Sequence, residues 1–342
     1  MTERKDRRRT RLGQTAAQGV VLFGSLALLS DAAWAQSRQV IGADAPQALV
    51  VPVSARATAM GGAYLGGDDA DVLFFNPAAL VSARGVSVQG GGYQDAASLV
   101  SVAGTTTIGK WSIGVGARAL RWADAPLEAI PAGGSRVAQS STDAPQFGLW
   151  RSLGGEATAA VTVGVARRLF GLKVGGALHA ADDFGARLAR GARRGDGVFA
   201  DLAATLDAGP GAFSVVAQHL GRDPDAEQSV NVVRTLERRA PRRLVVGYGV
   251  PLSPLLAHLD LGGNVLVSVE RDGFVSTRGG VEAGYAPVDG VSFIGRLGTV
   301  RRRETGLAVT LGAGILVDRV GIDMAFEPDG NNAGWRLGMR IR

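Results

Sequence analysis

The sequence predicts an all-β fold, a transmembrane antiparallel β-barrel of about 14 strands, and three observations support this prediction. The segment 319–342 alternates between apolar and polar residues, so each strand has one apolar and one polar face. Similar alternation recurs in segments of roughly ten residues, which is the length that a tilted strand needs to cross a bilayer. Beyond residue 35 no long uncharged apolar run provides a helix that could cross the membrane or cover these apolar faces.

Residues 1–35 are expected to be a secretory signal peptide. Six basic residues precede an uncharged, mostly apolar run at 19–30, which is too short to span a bilayer. Ala33-Trp34-Ala35 then provides a small-residue cleavage site. The chain contains no cysteine, so no disulfide stabilises the exported part.

Residues 36–84, called the hatch segment below, do not alternate and are expected to form a compact coil with short helical turns. Pro77 presets its own backbone angle and keeps Asn76 out of the helical region, and the Asn76 amide can bond nearby backbone. An ordinary turn or a helix start is the alternative. The pair Asp68-Asp69 could bind lumenal arginines, lie in a solvated loop, or begin a helix that Asp69 caps.

Residues 85–342 are expected to form the barrel. The long connections at 123–155, 184–195 and 222–241 all fall in one alternate set of joins, and the other set is short. Outer-membrane barrels have this asymmetry between short periplasmic turns and longer external loops. The predicted strands are 85–92, 97–107, 110–122, 156–168, 172–183, 196–208, 211–221, 242–252, 255–271, 275–286, 290–302, 305–317, 319–328 and 332–342.

The alternation also predicts which charged residues face the lumen. Pairs between neighbouring strands are expected, with Glu282 binding Arg296, and Asp323 or Glu327 binding Arg336 or Arg340. A structural role in holding the barrel together is preferred to a role in ligand selectivity. The predicted lumenal charges are Arg118, Arg278, Glu282, Arg296, Asp323, Glu327, Arg336 and Arg340.

The sequence contains no constellation that predicts an enzyme, a metal site or a cofactor. The three histidines, His179, His219 and His258, lie on separate predicted strands without metal-binding spacing, and no Gly-x-Ser-x-Gly elbow occurs. The net charge of +6 is too small to predict nucleic-acid binding. Arginines in and after the loop 222–241 could bind lipopolysaccharide phosphates, although a loop kept soluble by charge is the preferred interpretation. This basic cluster is Arg234, Arg238, Arg239, Arg242 and Arg243.

The segment 54–80 resembles the N-terminal signature of the FadL-like outer-membrane β-barrel superfamily, and most closely its PorV/PorQ family. The matching pieces are Ala-Arg-Ala at 55–57, Met-Gly-Gly-Ala at 60–63, the acidic pair at 68–69 and Asn-Pro-Ala at 76–78. The resemblance implies a 14-stranded barrel with the N-terminal segment folded into the lumen as a hatch. The hatch residues that it implies are Arg56, Met60, Gly61, Gly62, Asp68, Asp69, Asn76 and Pro77.

The function expected from the fold and the resemblance is passive transport of small hydrophobic compounds across the outer membrane of a Gram-negative (diderm) bacterium. One alternative is a PorV-like component of a type IX-type secretion system that binds secreted cargo or a translocon subunit. Another is a structural barrel with a sealed lumen. The expected partners are outer-membrane lipid, a hydrophobic small-molecule ligand, secretion-system proteins and lipopolysaccharide at the external loops.

Overall fold

The computed structural model describes residues 42–44, 47–93, 97–122, 157–183, 197–223, 237–256, 258–302, 306–328 and 334–342. The predicted signal peptide and most of the three long loops lie outside the described residues. Among the described residues, helices that combine the length and the apolar character needed to cross a bilayer are absent.

Fourteen antiparallel strands form one closed barrel, as predicted, and the first of them closes the sheet by pairing with the last. Two further short strands, β1 (Gly42–Asp44) and β9 (Glu237–Arg239), pair in parallel outside the barrel sheet. The barrel strands are β2 (Gly85–Tyr93), β3 (Ala97–Ile108), β4 (Trp111–Trp122), β5 (Ala157–Leu169), β6 (Leu172–Asp183), β7 (Gly197–Ala208), β8 (Gly211–Gly221), β10 (Arg243–Leu256), β11 (Leu259–Glu270), β12 (Val275–Val288), β13 (Val291–Arg302), β14 (Gly306–Val317), β15 (Val320–Glu327) and β16 (Gly334–Ile341).

One turn was predicted in the wrong place. The sequence predicts a break at 253–254, but β10 continues to Leu256 and β11 begins at Leu259. Proline lacks the donor that a regular ladder needs, so the strand ladder is irregular around Pro254. The pairing of β10 with β11 accommodates Pro254 through shifts of register between Val250 and Ser253 and between Pro254 and Leu256.

The outer surface of the barrel is an apolar belt to which every barrel strand contributes. Charged residues of the strands lie mainly on the opposite, inner face, so the polarity of a soluble barrel is inverted. The closed barrel and this belt confirm the predicted localisation in the outer membrane. One exposed apolar residue from each strand in chain order is Val86, Val102, Val115, Val163, Leu178, Leu202, Phe213, Leu244, Val265, Val281, Phe293, Leu311, Met324 and Leu337.

The described part of the hatch segment lies inside the barrel, because it packs against inner-face residues on opposite sides of the wall. Its helices α1 (Gln47–Val50) and α2 (Ala55–Ala59) are followed by two 3₁₀ helices, η1 (Ala70–Phe74) and η2 (Pro77–Val81). Helix α2 contacts β13–β16, whereas η2 contacts β4–β7. Most of its side chains between residues 48 and 83 are buried, so the segment fills the lumen at this level.

Candidate functional site

The candidate site is the interface between the hatch segment and the inner wall. On the side of β12–β14 the backbone of the hatch segment lies directly on glycines of the wall. A methyl group added to Gly298 would collide with the backbone of Met60 and Gly61, and one added to Gly280 would lie 2.5 Å from the Met60 Cβ. The amide of Gly61 donates to the Thr310 Oγ1 at 2.9 Å. The hatch segment is therefore in close contact with this part of the wall.

On the opposite side the hatch segment presents apolar side chains to glycines of β4 and β5, and the Pro77 backbone lies on Gly175 of β6. A Cβ at Gly116 would lie 2.6 Å from the Phe74 ring, and one at Gly164 would lie 2.5 Å from a Leu73 methyl. Leu80 occupies the same groove and is fully buried. We call the groove floored by Gly114, Gly116, Gly164 and Gly175 the glycine groove.

An ion-pair network joins the hatch segment to the wall on the side of β12–β16. Arg56 Nη2 binds Glu282 Oε1 at 2.5 Å, and Arg56 Nη1 binds Asp69 Oδ2 at 3.1 Å. Asp69 also binds Arg340 Nη1 of β16 at 3.3 Å. The Glu282 and Asp69 side chains are each 3% exposed and the Arg56 side chain 11%, so these charges are screened little by water.

The network continues along the wall and partly matches the predicted pairs. Arg296 binds both Glu282 at 3.2 Å and Asp323 at 2.7 Å, and Asp323 in turn binds Arg340 Nε at 3.3 Å. Of the predicted alternatives the structure contains Asp323 with Arg340, while Glu327 pairs with Arg302 of β13.

The remaining predicted lumenal charges also lie on the inner face. Arg336 is 1% exposed and donates to the carbonyl oxygens of Pro52, Gly92 and Trp335. Arg118 is 3% exposed and its guanidinium lies over the Phe74 ring. Arg278 is half-buried and packs against Gly62, which has a positive φ of 76°.

The acidic pair makes ion pairs, one of the three predicted possibilities. Asp68 binds Arg342 Nη2 at 2.5 Å. Asp69 occupies the position before η1, but its side chain makes no capping hydrogen bond there. It accepts instead from the Tyr64 hydroxyl at 2.5 Å. Burial would raise the pKa of Asp69, but the guanidinium groups of Arg56 and Arg340 hold that pKa below its ordinary value.

Asp71 is a further carboxyl of the hatch segment, and the sequence analysis did not single it out. Its oxygens accept hydrogen bonds from Ser87 Oγ and, at 2.7 Å, from Gln89 Nε2, both on β2. Burial and the nearby Asp69 carboxylate together raise the pKa of Asp71 to about 7. Asp71 is therefore the group of the hatch segment whose charge changes near neutral pH.

Asn76 and Pro77 act at the other side of the segment. The Asn76 Oδ1 accepts from the Ala78 amide at 3.1 Å, which caps η2, and Pro77 occupies its first turn. The Asn76 Nδ2 donates to the Leu65 carbonyl at 2.5 Å and to Thr205 Oγ1 of β7 at 3.1 Å. The side chain thus fixes the hatch fold and also ties it to the wall.

A small cavity remains between the hatch segment and β8–β12. Its volume of about 20 Å³ holds one water molecule and is far below the ~150 Å³ of a cavity that binds benzene. A small hydrophobic compound therefore enters this part of the lumen only if the hatch segment moves. The lining residues are Gly62, Tyr64, Leu65, Phe75, Gln218, Arg243, Val245, Leu266 and Arg278.

Two of the histidines that appeared isolated in the sequence share a buried polar cluster with Asp201. His179 Nε2 lies 3.0 Å from Asp201 Oδ2, and the His219 amide donates to Asp201 Oδ1 at 2.6 Å. His219 has a positive φ of 55°, where the pairing of β7 and β8 shifts register. Among the described residues no group of three His, Cys, Asp or Glu side chains is arranged to hold a metal ion.

The structure places the arginines of the predicted basic cluster, in and after the loop 222–241, in different surroundings. Arg242 pairs with Asp223 at 3.5 Å. Arg243 lines the lumenal cavity and donates to Gln218 Oε1 at 2.5 Å, so it does not belong to an external anion-binding surface. The side chains of Arg234, Arg238 and Arg239 lie outside the described residues.

Comparison with solved structures shows which known proteins share this fold. No protein-family profile and no curated protein matches the chain. The CymD monoaromatic hydrocarbon channel is similar at 11% identity and a TM-score of 0.52, covering 89% of this chain and 97% of that one. The Pseudomonas putida toluene transporter TodX is similar at 10% identity and a TM-score of 0.50, covering 83% and 95%. The fold of these channels is thus shared, and closeness to the PorV/PorQ family stays a prediction.

Proposed function

We propose that the protein is a passive conduit for small hydrophobic compounds across the outer membrane, and that the hatch segment is its gate. The observation that carries this proposal is the unequal attachment of the hatch segment to the wall. Ion pairs fix it to β12 and β16, whereas Leu73, Phe74 and Leu80 rest in the glycine groove through apolar contacts. The bond from Asn76 to Thr205 on the groove side is a neutral hydrogen bond.

The two attachments respond differently to an apolar compound. Displacing Leu73, Phe74 and Leu80 from the glycine groove exposes Gly114, Gly116 and Gly164, with Arg118 as the charged group beside Gly116. An apolar compound can replace those contacts, because dispersion and desolvation do not depend on direction. It cannot replace the Arg56–Glu282 pair, so the ion-pair side stays in place as a hinge. Toluene transport by TodX and hydrocarbon conduction by CymD support this choice of substrate class.

The proposed function requires no catalysis. A role as a PorV-like secretion component would depend on the external loops, and these lie mostly outside the described residues. We therefore propose transport alone.

The test is the initial rate of uptake of radiolabelled toluene by intact cells that carry or lack the chain. The lipopolysaccharide leaflet is the barrier in this assay, so we expect faster uptake in cells that carry the protein. Uptake of a neutral sugar, measured in the same cells, should not change. Equal rates of toluene uptake with and without the chain would refute the proposal.

A further inference from the structure

The inner wall beside the hatch segment contains a slot for one aromatic ring. Phe74 occupies it, with the ring tip on Gly116 and with Arg118 Cζ 5.1 Å from the ring centroid. Gly116 and Arg118 are two residues apart on β4 and so face the same side of the strand. Leu99 and Leu120 belong to the same buried apolar cluster as Phe74.

The polar groups around this slot are incompletely satisfied. Arg118 Nε and Nη2 are buried without a hydrogen-bond partner among the described residues. Ser101, which lies directly opposite Arg118 in the pairing of β3 with β4, has a buried and unpartnered Oγ. Buried donors of this kind are costly to leave unpaired, and a guanidinium is the more costly of the two. The ring of Phe74 provides a cation–π contact but accepts none of these hydrogen bonds.

We propose that the slot is a binding site for an aromatic carboxylate, and that Phe74 is an internal stand-in for the ring of that ligand. This inference rests on the proposed gating function and specifies a class of compound within it. The ring would replace Phe74 over Gly116, and the carboxylate would accept hydrogen bonds from Arg118 and Ser101. A plain hydrocarbon would fill the slot but leave the donors unpaired, so the site prefers the acid.

The test is equilibrium binding of radiolabelled benzoate to the purified full-length barrel in detergent. Vacating the slot by Phe74→Ala is expected to tighten benzoate binding at least tenfold. Adding Arg118→Met to this variant is expected to weaken benzoate binding at least tenfold while leaving toluene binding unchanged. The matched control is Arg168→Met, which removes an exposed arginine that pairs with Asp207 and should leave benzoate binding unchanged.

The outcomes separate this inference from the proposed function. Equal benzoate affinity in Phe74→Ala with and without Arg118→Met would overturn the inference, even if toluene uptake by cells is normal. Arg118-dependent benzoate binding together with absent toluene uptake would support the site and refute the transport proposal. Thermal unfolding of each variant checks the fold, and Phe74→Val provides a vacated slot with a smaller loss of packing if Phe74→Ala does not fold.

Discussion

Arg56 is the hatch side chain that binds both a wall carboxylate and a hatch carboxylate, so Arg56→Met tests the proposed gate most directly. Removing one partner of a buried ion pair typically costs about 3–5 kcal/mol. The lower value applies here, because Glu282 keeps Arg296 and Asp69 keeps Arg340 as partners. About 3 kcal/mol corresponds to an increase of roughly a hundredfold in the population of undocked hatch.

The assay is the fraction of time that single reconstituted barrels conduct in a planar bilayer. We expect Arg56→Met to conduct far more often than the unmodified protein. The matched control is Arg168→Met, which removes an arginine from an exposed pair with Asp207 whose side chains are 55% and 47% exposed. Conduction by Arg56→Met that equals conduction by the control would refute the ion-pair anchoring of the hatch segment.

Three further predictions concern pH, glycine seating and the histidine cluster. Asp71 holds its proton up to about pH 7 when docked and releases it near pH 4 when exposed, so docking should weaken as pH rises from about 4 to 7, by at most ~1.4 kcal/mol per pH unit, and level off above that range. Proteolysis of the hatch should therefore accelerate at pH 8, and Asp71→Asn should remove the difference; a pH response that persists in this variant would contradict the assignment. Gly298→Ala should lower thermal stability by about 1–3 kcal/mol through collision with Gly61, whereas Gly295→Ala, with open space around its added methyl, should not; equal stabilities would exclude the close seating. Asp201→Ala should destabilise the barrel by about 1–3 kcal/mol because the buried His219 amide loses its acceptor, and unfolding at the same temperature as the exposed Asp207→Ala would refute this role.

The alternating pattern was sufficient to predict the strands of the barrel and the faces of their side chains. The face that a side chain takes depends only on odd or even position along its own strand, so the strand β15 and the inward direction of Asp323 and Arg340 could be read from local sequence. The 14 strands agree with the predicted ones to within a few residues, except at 253–254, where a turn was predicted and β10 continues through shifts of register to Leu256.

Contacts between distant strands could not be read in this way. His179 and His219 are 40 positions apart, and only the register of β6, β7 and β8 brings both to Asp201. The partner of Glu327 depended on how far Arg302 of β13 reaches over the intervening strand β14, which the alternation of single strands does not contain.

By itself, then, the sequence determined a closed barrel with an apolar exterior, because two-residue periodicity is a local property of the backbone. Only the tertiary structure decided how the lumen is filled: Arg56 against Glu282 on one wall and Phe74 against Gly116 on the other. The physical reason is that these contacts depend on the fit of two surfaces far apart in the chain, where one Cβ atom or one missing charge changes which side chains can meet.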